Sequence, residues 1–273
     1  GASKGEGLGN QFLSHIRSTN AICHVVRAFD NDNIVHVDEK HDPKKDIEII
    51  NTELVLADLQ TVENRLPKLQ KEAKANPKLK SQVEELNRIH NLLNEGKPLF
   101  SVEDIDLQLI SDLHLLTAKP TIYLFNIDEN GLSDKDLQTR LTELVAPAQA
   151  LFVCAELESQ LKDLDENDAT ELLESYGQDQ SGLVKLIHTA YDVLGLQSYL
   201  TAGPKEVRSW TIKKGSIAPQ AAGVIHGDFE RGFICAECYK SDDLIRLGNE
   251  QKIKDAGLYK QEGKEYVVQT GDV

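Results

Sequence analysis

Three short apolar runs constrain the fold of this chain more than any other feature. They occupy residues 21–26, 121–125 and 150–154, and they are rich in β-branched, aromatic and aliphatic side chains. Helical patterns follow the second and third runs, over residues 133–145 and 182–194. Buried strands that alternate with helices are typical of a mostly parallel sheet. The sequence therefore predicts an α/β fold.

A long helical pattern interrupts this alternation between residues 42 and 118. Apolar or half-apolar positions recur there at spacings of three and four, first at Val55, Leu59, Val62, Leu66, Leu69 and Ala73 and then at Leu79, Val83, Leu86, His90 and Leu93. The short turn around Pro77 predicts an antiparallel helical hairpin. Pro67 should kink the first helix or restart it. The pattern suits an ordinary pair of surface helices as well as a dedicated binding arm.

The pattern changes again after residue 196. Strand-like runs at residues 207–212, 233–239 and 265–268 are separated by helix-forming stretches. This indicates a small α+β domain of the β-grasp type, with about 75 residues, a size that can fold alone.

Composition excludes some classes of protein. The chain has 273 residues, a formal net charge of −15 and no apolar run of the length that crosses a bilayer. The net charge argues against a generally basic nucleic-acid-binding surface, although a local basic patch stays compatible with it. Four cysteines are few for this length and fit a reducing compartment, so we expect a cytoplasmic protein.

Several further predictions concern the two ends of the chain. Residues 1–10 contain four glycines, Gly1, Gly5, Gly7 and Gly9, which predict a mobile loop before a helix over residues 11–17 that Asn10 caps. The chain contains no methionine. Since Gly1 also stands inside an evident motif, we expect that a segment precedes it and that some methionine positions are missing. Residues 266–273 stop where another strand should follow, so we expect a last strand after Val273.

Three further groups of residues have competing interpretations. Cys235 and Cys238 have a spacing found in zinc and redox sites, but residues three apart on a strand point to opposite faces, so a structural role is favoured and no metal site is expected. Lys213, Lys214 and Arg208 form either an RNA-binding patch or a solvated turn. His15 fits a helix surface better than a phosphate site.

The tetrapeptide Asn126-Ile127-Asp128-Glu129 directly follows the run at residues 121–125. P-loop GTPases carry Asn-Lys-x-Asp at such a strand end, where the Asp carboxylate accepts two hydrogen bonds from guanine. In this chain Glu replaces Asp and is one methylene longer, and Ile replaces Lys. Displacing a hydrogen-bonding carboxylate weakens discrimination between bases. The tetrapeptide therefore predicts a fold of this class with a loosened preference for guanine.

Separate segments of the chain, in order, resemble the YchF branch of the Obg-class P-loop NTPases, the Obg-like ATPases. Residues 1–16 resemble the segment that follows switch II, and residues 126–129 resemble the altered base-recognition motif. Residues 201–211 and 218–233 resemble the C-terminal TGS domain. The resemblance implies a nucleotide-binding domain at residues 1–41 and 119–196, an inserted helical hairpin at 42–118, and a TGS domain at 197–273.

The resemblance also implies site residues. Asn126 would brace the base-binding loops, the Ile127 backbone would pair with the 6-amino group of adenine, and Glu129 would no longer suit guanine. Cys154, Ala155 and Glu156 take the place of a Ser-Ala loop whose backbone N–H approaches the purine. Gly1, Gly5, Gly7 and Gly9 would belong to the mobile part of switch II.

The activity implied is hydrolysis of ATP, with GTP accepted less well, in a regulator of translation or stress that requires Mg²⁺. The phosphate-binding loop Gly-x-x-x-x-Gly-Lys-[Ser/Thr] does not occur in the 273 residues. Catalytic residues and metal ligands are therefore expected upstream of Gly1. Expected partners are ATP and the ribosome or a ribosomal subunit, with RNA contacts through the TGS domain and the helical arm, no membrane, and a monomeric state. A non-enzymatic adaptor and a conventional Obg-class GTPase are the alternatives.

Overall fold

The computed structural model describes residues 7–30 and 42–273 of the protein. The chain divides into two compact units, the first ending at Ala190 and the second comprising Tyr191–Val273. Each unit is described by itself. The finer division into three domains stays a prediction.

A parallel sheet of three strands forms the centre of the first unit. Its strands are β1 (Ile22–Arg27), β2 (Thr121–Asn126) and β3 (Gln149–Val153), in the order β1-β2-β3. Because β2 lies between two neighbours, its side chains are the most buried of the sheet, and Phe125 is completely excluded from solvent. The predicted parallel α/β sheet is confirmed.

Helices precede, interrupt and follow this sheet. They are α1 (Gly7–Arg17), α2 (Pro43–Ala75), α3 (Lys80–Asn94), α4 (Lys135–Val145), α5 (Ala155–Leu161), α6 (Glu166–Ser175) and α7 (Gly182–Val193). Among the described residues, no helix is both long enough and apolar enough to cross a membrane.

Helix α1 begins earlier than the sequence predicted. Gly7 and Gly9 lie within the helix, so the expected loop does not extend to them and Asn10 does not cap the helix. The buried side chain of Leu13 packs against residues of α2 and against Leu116, and such tertiary contacts outweigh the cost of about 1 kcal/mol that each helical glycine carries. Gly1 and Gly5 lie outside the described residues, and the assignment of all four to switch II stays a prediction.

Helices α2 and α3 form the predicted hairpin. Their apolar seams meet in a buried cluster that includes Val62, Leu69, Leu86 and Ile89. Asp42 caps α2 by accepting hydrogen bonds from the N–H groups of two following lysines. The helix continues through Pro67 to Ala75, so the expected restart does not occur.

Asp58 of α2 anchors the hairpin to the rest of the unit. Its carboxylate is fully buried and accepts hydrogen bonds from the Leu116 N–H at 2.8 Å, the Thr117 N–H at 2.7 Å and the Thr117 hydroxyl at 2.8 Å. The guanidinium of Arg17, in α1, lies 3.9 Å away. Burial raises the pKa of Asp58, while these hydrogen bonds and the Arg17 charge oppose that shift. One carboxylate therefore joins α1, α2 and the segment before β2.

The second unit contains two antiparallel strand pairs. β4 (Leu196–Ala202) pairs with β5 (Val207–Lys213), and β6 (Ala236–Cys238) pairs with β7 (Lys260–Glu262). Its other helices are α8 (Ala218–Ile225), α9 (Gly227–Arg231), α10 (Ser241–Leu247) and α11 (Glu250–Asp255). The core gathers Tyr199, Ile212, Ala218, Ala221 and Val268.

Two strand predictions in this unit need correction. The run at residues 233–239 forms a strand only from Ala236 to Cys238. The run at 265–268 forms only a single bridge, between Val267 and Ile217, whereas the nearby strand is β7. Val268 is nevertheless buried in the core. At this place the apolar pattern therefore indicates that side chains are buried, and it does not indicate a hydrogen-bonded strand.

Candidate functional site

The candidate site lies where β2 and β3 end. Both strands are parallel, and Asn126, the last residue of β2, is paired in register with Val153, the last residue of β3. In open α/β sheets, ligands bind beyond the carboxyl ends of the strands. The two predicted segments, 126–129 and 154–156, are thus brought together at this edge.

Asn126 connects the loops that follow all three strands. Its side-chain Oδ1 accepts a hydrogen bond from the Ala155 N–H at 3.1 Å, in the loop after β3. Its backbone carbonyl accepts one from the Ala28 N–H at 2.8 Å, in the loop after β1. A single residue therefore fixes the relative positions of three loops at the edge of the sheet.

The side chain of Ile127 is buried in the core, and its backbone N–H points to the last residue of β3. The side chain is 2% exposed, so it takes no direct part in contacts at the surface. The N–H donates to the Val153 carbonyl at 2.8 Å. Because the donor of this residue is committed, its carbonyl is the group that can accept a hydrogen bond from a ligand amino group.

Asp128 shapes the turn after Ile127. Its carboxylate accepts a hydrogen bond from the Gly131 N–H, three residues further on, at 2.8 Å, so the side chain closes the turn on its own backbone. A Cβ on Gly131 would lie 3.0 Å from the Ile127 Cβ and 3.2 Å from the Asp128 Oδ1, which is too close for an ordinary contact. The spacing Asp-x-x-Gly in the sequence is the signal by which this turn could have been predicted.

Glu129 is partly buried and is engaged by Tyr176, which follows α6. Hydrogen bonding to the Glu129 carboxylate, with a smaller contribution from burial and nearby charges, raises the pKa of the Tyr176 hydroxyl. The tyrosine ring also packs against the core of the first unit. Since Tyr176 belongs to no motif and is distant in sequence, only the structure reveals this contact.

Residues 154–156 present their backbone to the site. Cys154 is 3% exposed and contributes to the core, whereas Ala155 and Glu156 are exposed at the start of α5. The Ala155 N–H is the group held by Asn126. The Cys154 side chain therefore supports the loop from inside, and the loop meets solvent through its next two residues.

Helix α7 packs closely on the end of β3. A Cβ on Gly182 would lie 2.3 Å from the Val153 Cγ1, so a larger residue would displace the strand or the helix. Glu158 holds this contact because its carboxylate accepts from the Gly182 N–H at 2.6 Å. Sequence reasoning missed both residues.

The described residues offer no metal site. Among them, no group of three or more His, Cys, Asp or Glu side chains could hold a metal ion. Cys235 is exposed, while burial raises the pKa of the Cys238 thiol to about 11, which disfavours the thiolate that metal binding requires. The residues that the structure describes therefore do not form a site for Mg²⁺.

Comparisons with known proteins agree with this architecture. A family described as YchF-GTPase_C, protein of unknown function (DUF933), matches residues 196–273. The structure of the Schizosaccharomyces pombe YchF GTPase superimposes with a TM-score of 0.84 at 38% identity, covering 100% of this chain and 76% of that one.

Full-length relatives extend the match to the whole chain. The ribosome-binding ATPase YchF of Bacillus subtilis is 48% identical over 281 residues, which cover 100% of this chain and 77% of the relative. The protein of the same name from Escherichia coli O157:H7 is 45% identical with the same coverage. Obg-like ATPase 1 of Oryza sativa subsp. japonica is 41% identical, with 71% of its length covered. With such identity over its entire length, the chain belongs to the YchF family of Obg-like ATPases.

Proposed function

We propose that this protein is a nucleoside triphosphatase that prefers ATP to GTP and works with the ribosome. The observation that carries the base preference is the loop from Asn126 to Glu129. Its backbone is fixed by the hydrogen bond between Asn126 and Ala155, and its last residue is a partly buried Glu where the guanine-specific motif has Asp.

The chemistry of the two purines explains the preference. Guanine offers N1–H and a 2-amino group, which an Asp carboxylate accepts in the guanine-specific motif, but the side chain of Glu129 is one methylene longer than that of Asp. Adenine offers a 6-amino donor to the Ile127 carbonyl, whereas guanine would bring its 6-oxo acceptor to the same place. An unpaired polar group in such a contact costs about 1–3 kcal/mol, which is roughly tenfold to a hundredfold in affinity.

The names of the relatives support hydrolysis and a ribosomal partner. Those from B. subtilis and E. coli are called ribosome-binding ATPases, while the S. pombe protein is called a GTPase. The names differ on the nucleotide, so base preference needs its own measurement. Cytoplasmic localisation, Mg²⁺ dependence, a role in translational or stress control, and a monomeric state belong to the same proposal, with the catalytic and metal-binding residues outside those described here.

The proposed domains follow the same logic. Residues 1–41 and 119–196 would form the nucleotide-binding domain, residues 42–118 the inserted hairpin, and residues 197–273 a TGS domain. The family match over residues 196–273 supports the last of these boundaries.

Isothermal titration of the full-length protein with non-hydrolysable ATP and GTP analogues tests the base preference. We expect the ATP analogue to bind at least tenfold more tightly, and a strong preference for the GTP analogue would overturn the proposal. Hydrolysis is then measured with and without ribosomes. A protein that binds ribosomes but hydrolyses neither nucleotide would instead be the adaptor.

Two variants locate the source of the preference. Glu129→Asp, alone and with Ile127→Lys, restores the residue types of the guanine motif and should shift the affinity ratio toward GTP by about tenfold. Because Ile127 is buried, thermal unfolding of the double variant must be compared with that of Glu129→Asp alone. An unchanged ratio in a folded variant would mean that other contacts select the base.

A further inference from the structure

A glutamine outside both predicted motifs holds the turn that follows the tetrapeptide Asn126–Glu129. The side-chain nitrogen of Gln138, on α4, donates hydrogen bonds to the backbone carbonyls of Gly131 at 2.9 Å and Leu132 at 3.0 Å. A carboxamide nitrogen carries two hydrogens, so each carbonyl can receive one of them. Both donors of Gln138 are therefore committed to this turn.

The contact supports the turn and not the helix that carries it. Gln138 is the fourth residue of α4, and the groups left unpaired at the start of a helix are N–H donors. A side chain that caps such a start accepts a hydrogen bond, as Asp134 does from the Leu137 N–H at 2.9 Å. Gln138 instead donates, and the carbonyls that accept belong to residues before the helix. Its nitrogen thus joins α4 to the turn.

The turn that Gln138 holds lies directly against Ile127. Gly131 is buried, and its N–H donates to the Asp128 carboxylate at 2.8 Å. A Cβ added to Gly131 would lie 3.0 Å from the Ile127 Cβ, so the two residues are already in close contact. Because no free space separates them, a shift of the Gly131 backbone toward Ile127 would displace Ile127 as well.

Helix α4 provides a fixed support for this contact. Leu141 and Val145 of α4 are buried in the same cluster as Ile127. The tetrapeptide is therefore held from two directions. Asn126 and Ile127 bind its start to β3 and the loop after it, and Gln138 binds the turn at its end to α4. Loss of the donors of Gln138 would release the second of these attachments and leave the first in place.

We propose that Gln138 is a positioning residue for selection of the base. It keeps the turn after Ile127 in place, so that the Ile127 carbonyl stays aligned with the 6-amino donor of adenine; this role rests on the proposed base preference. A hydrogen bond weakens steeply when its angle is distorted. ATP and GTP differ only in the base, so displacement of the turn should change the ratio of their affinities and leave the contribution of ribose and phosphates as it is.

The test compares two variants of the full-length protein in which a glutamate replaces a glutamine. Gln138→Glu keeps the length of the side chain but replaces its donor by an acceptor, which repels the two carbonyls. Gln82→Glu is the matched control, because Gln82 is also half-buried, lies in the first turn of α3 and donates to the Leu109 carbonyl at 2.6 Å. An acidic residue near the start of a helix is favourable, so neither change should weaken its helix. Calorimetry with the non-hydrolysable ATP and GTP analogues gives the two affinities.

In Gln138→Glu the ratio of ATP affinity to GTP affinity should fall by about fivefold or more. In Gln82→Glu the ratio should stay within about twofold of the wild-type value, since distant sites act independently. Gln138→Lys restores a donor on a long side chain and should bring the ratio back toward that of the wild type. If thermal unfolding shows that Gln138→Glu does not fold, Gln138→Ala removes the donor without adding a charge and should shift the ratio in the same direction.

An unchanged ratio in Gln138→Glu, or an equal change in both variants, would overturn the proposal. An equal loss of ATP and GTP affinity would also overturn it, because that result is expected of a residue that only stabilises the fold. The wild type is the separate readout. If the wild type preferred GTP, the proposed base preference would fail, whereas a change of ratio confined to Gln138→Glu would still support a positioning role for Gln138.

Discussion

The base-recognition loops and the helical hairpin are held in place by different interactions. At the loops, the groups that face a ligand are mainly backbone groups, and side chains such as Asn126 and Cys154 hold that backbone in place. In the hairpin, the backbone is helical and buried apolar side chains such as Leu69 and Leu86 hold the two helices together. The loops therefore depend on a few directed contacts and the hairpin on apolar packing.

Because of this difference, we expect the two regions to respond differently to mutation. Loss of one bracing contact at the loops changes the position of several groups at once, so its effect on ligand binding should be large and specific. Loss of one apolar side chain in the hairpin removes packing, so its effect should fall mainly on stability. Three substitutions test these expectations.

Asn126→Ala should have the largest effect. It removes the acceptor for the Ala155 N–H, and a lost hydrogen bond of this kind costs about 1–2 kcal/mol. We expect affinity for the ATP analogue to fall by about tenfold or more, measured by calorimetry. Asn126→Asp retains an acceptor at the same position and should lose less. If both variants bind as the wild type does, Asn126 does not brace the loops.

Leu86→Ala should have a smaller effect on binding. It leaves a cavity in the buried seam of the hairpin, which should lower the free energy of unfolding by about 2–5 kcal/mol, as thermal unfolding measures. The ATP analogue should bind within about threefold of the wild-type value, because the seam lies outside the loops. Leu86→Met keeps most of the packing and should cost less than about 1.5 kcal/mol. A loss of affinity in Leu86→Ala equal to that of Asn126→Ala would show that packing in the hairpin also positions the loops.

Cys154→Ser should have the smallest effect on binding. If the loop meets the nucleotide through the backbone, the ATP analogue should bind within twofold of the wild-type value. The buried hydroxyl should lower the free energy of unfolding by about 1–3 kcal/mol, which thermal unfolding measures. A large loss of affinity in a protein of unchanged stability would give the side chain a direct role.

Sequence reasoning succeeded where a pattern directly reflects burial. The runs before Asn126 and Cys154 became parallel strands, and the seams on both sides of Pro77 became the hairpin. It failed where a tertiary partner decides the outcome. Leu13 packs into the core from a helix that begins at Gly7 and includes two glycines, and Val268 is buried without a strand ladder.

Part of the candidate site could not be predicted for the same reason. The two loops were predicted from their resemblance to the family's motifs, and because each follows a parallel strand, the topology brings them to the same edge of the sheet. Tyr176 and Gly182 act through contacts with Glu129 and Val153. Such pairs are distant in sequence and carry no spacing rule, and their roles become visible only in the folded chain.

The buried carboxylate of Asp58 gives the hairpin a mechanical property. It fixes α2 near the middle of its length, and the helix continues from there to Ala75, about 25 Å further along its axis. The hairpin therefore projects from a fixed point beside Arg17 of α1. A tilt of about 5° about that point would displace the far end by about 2 Å, so a small change beside Arg17 would be larger at Ala75.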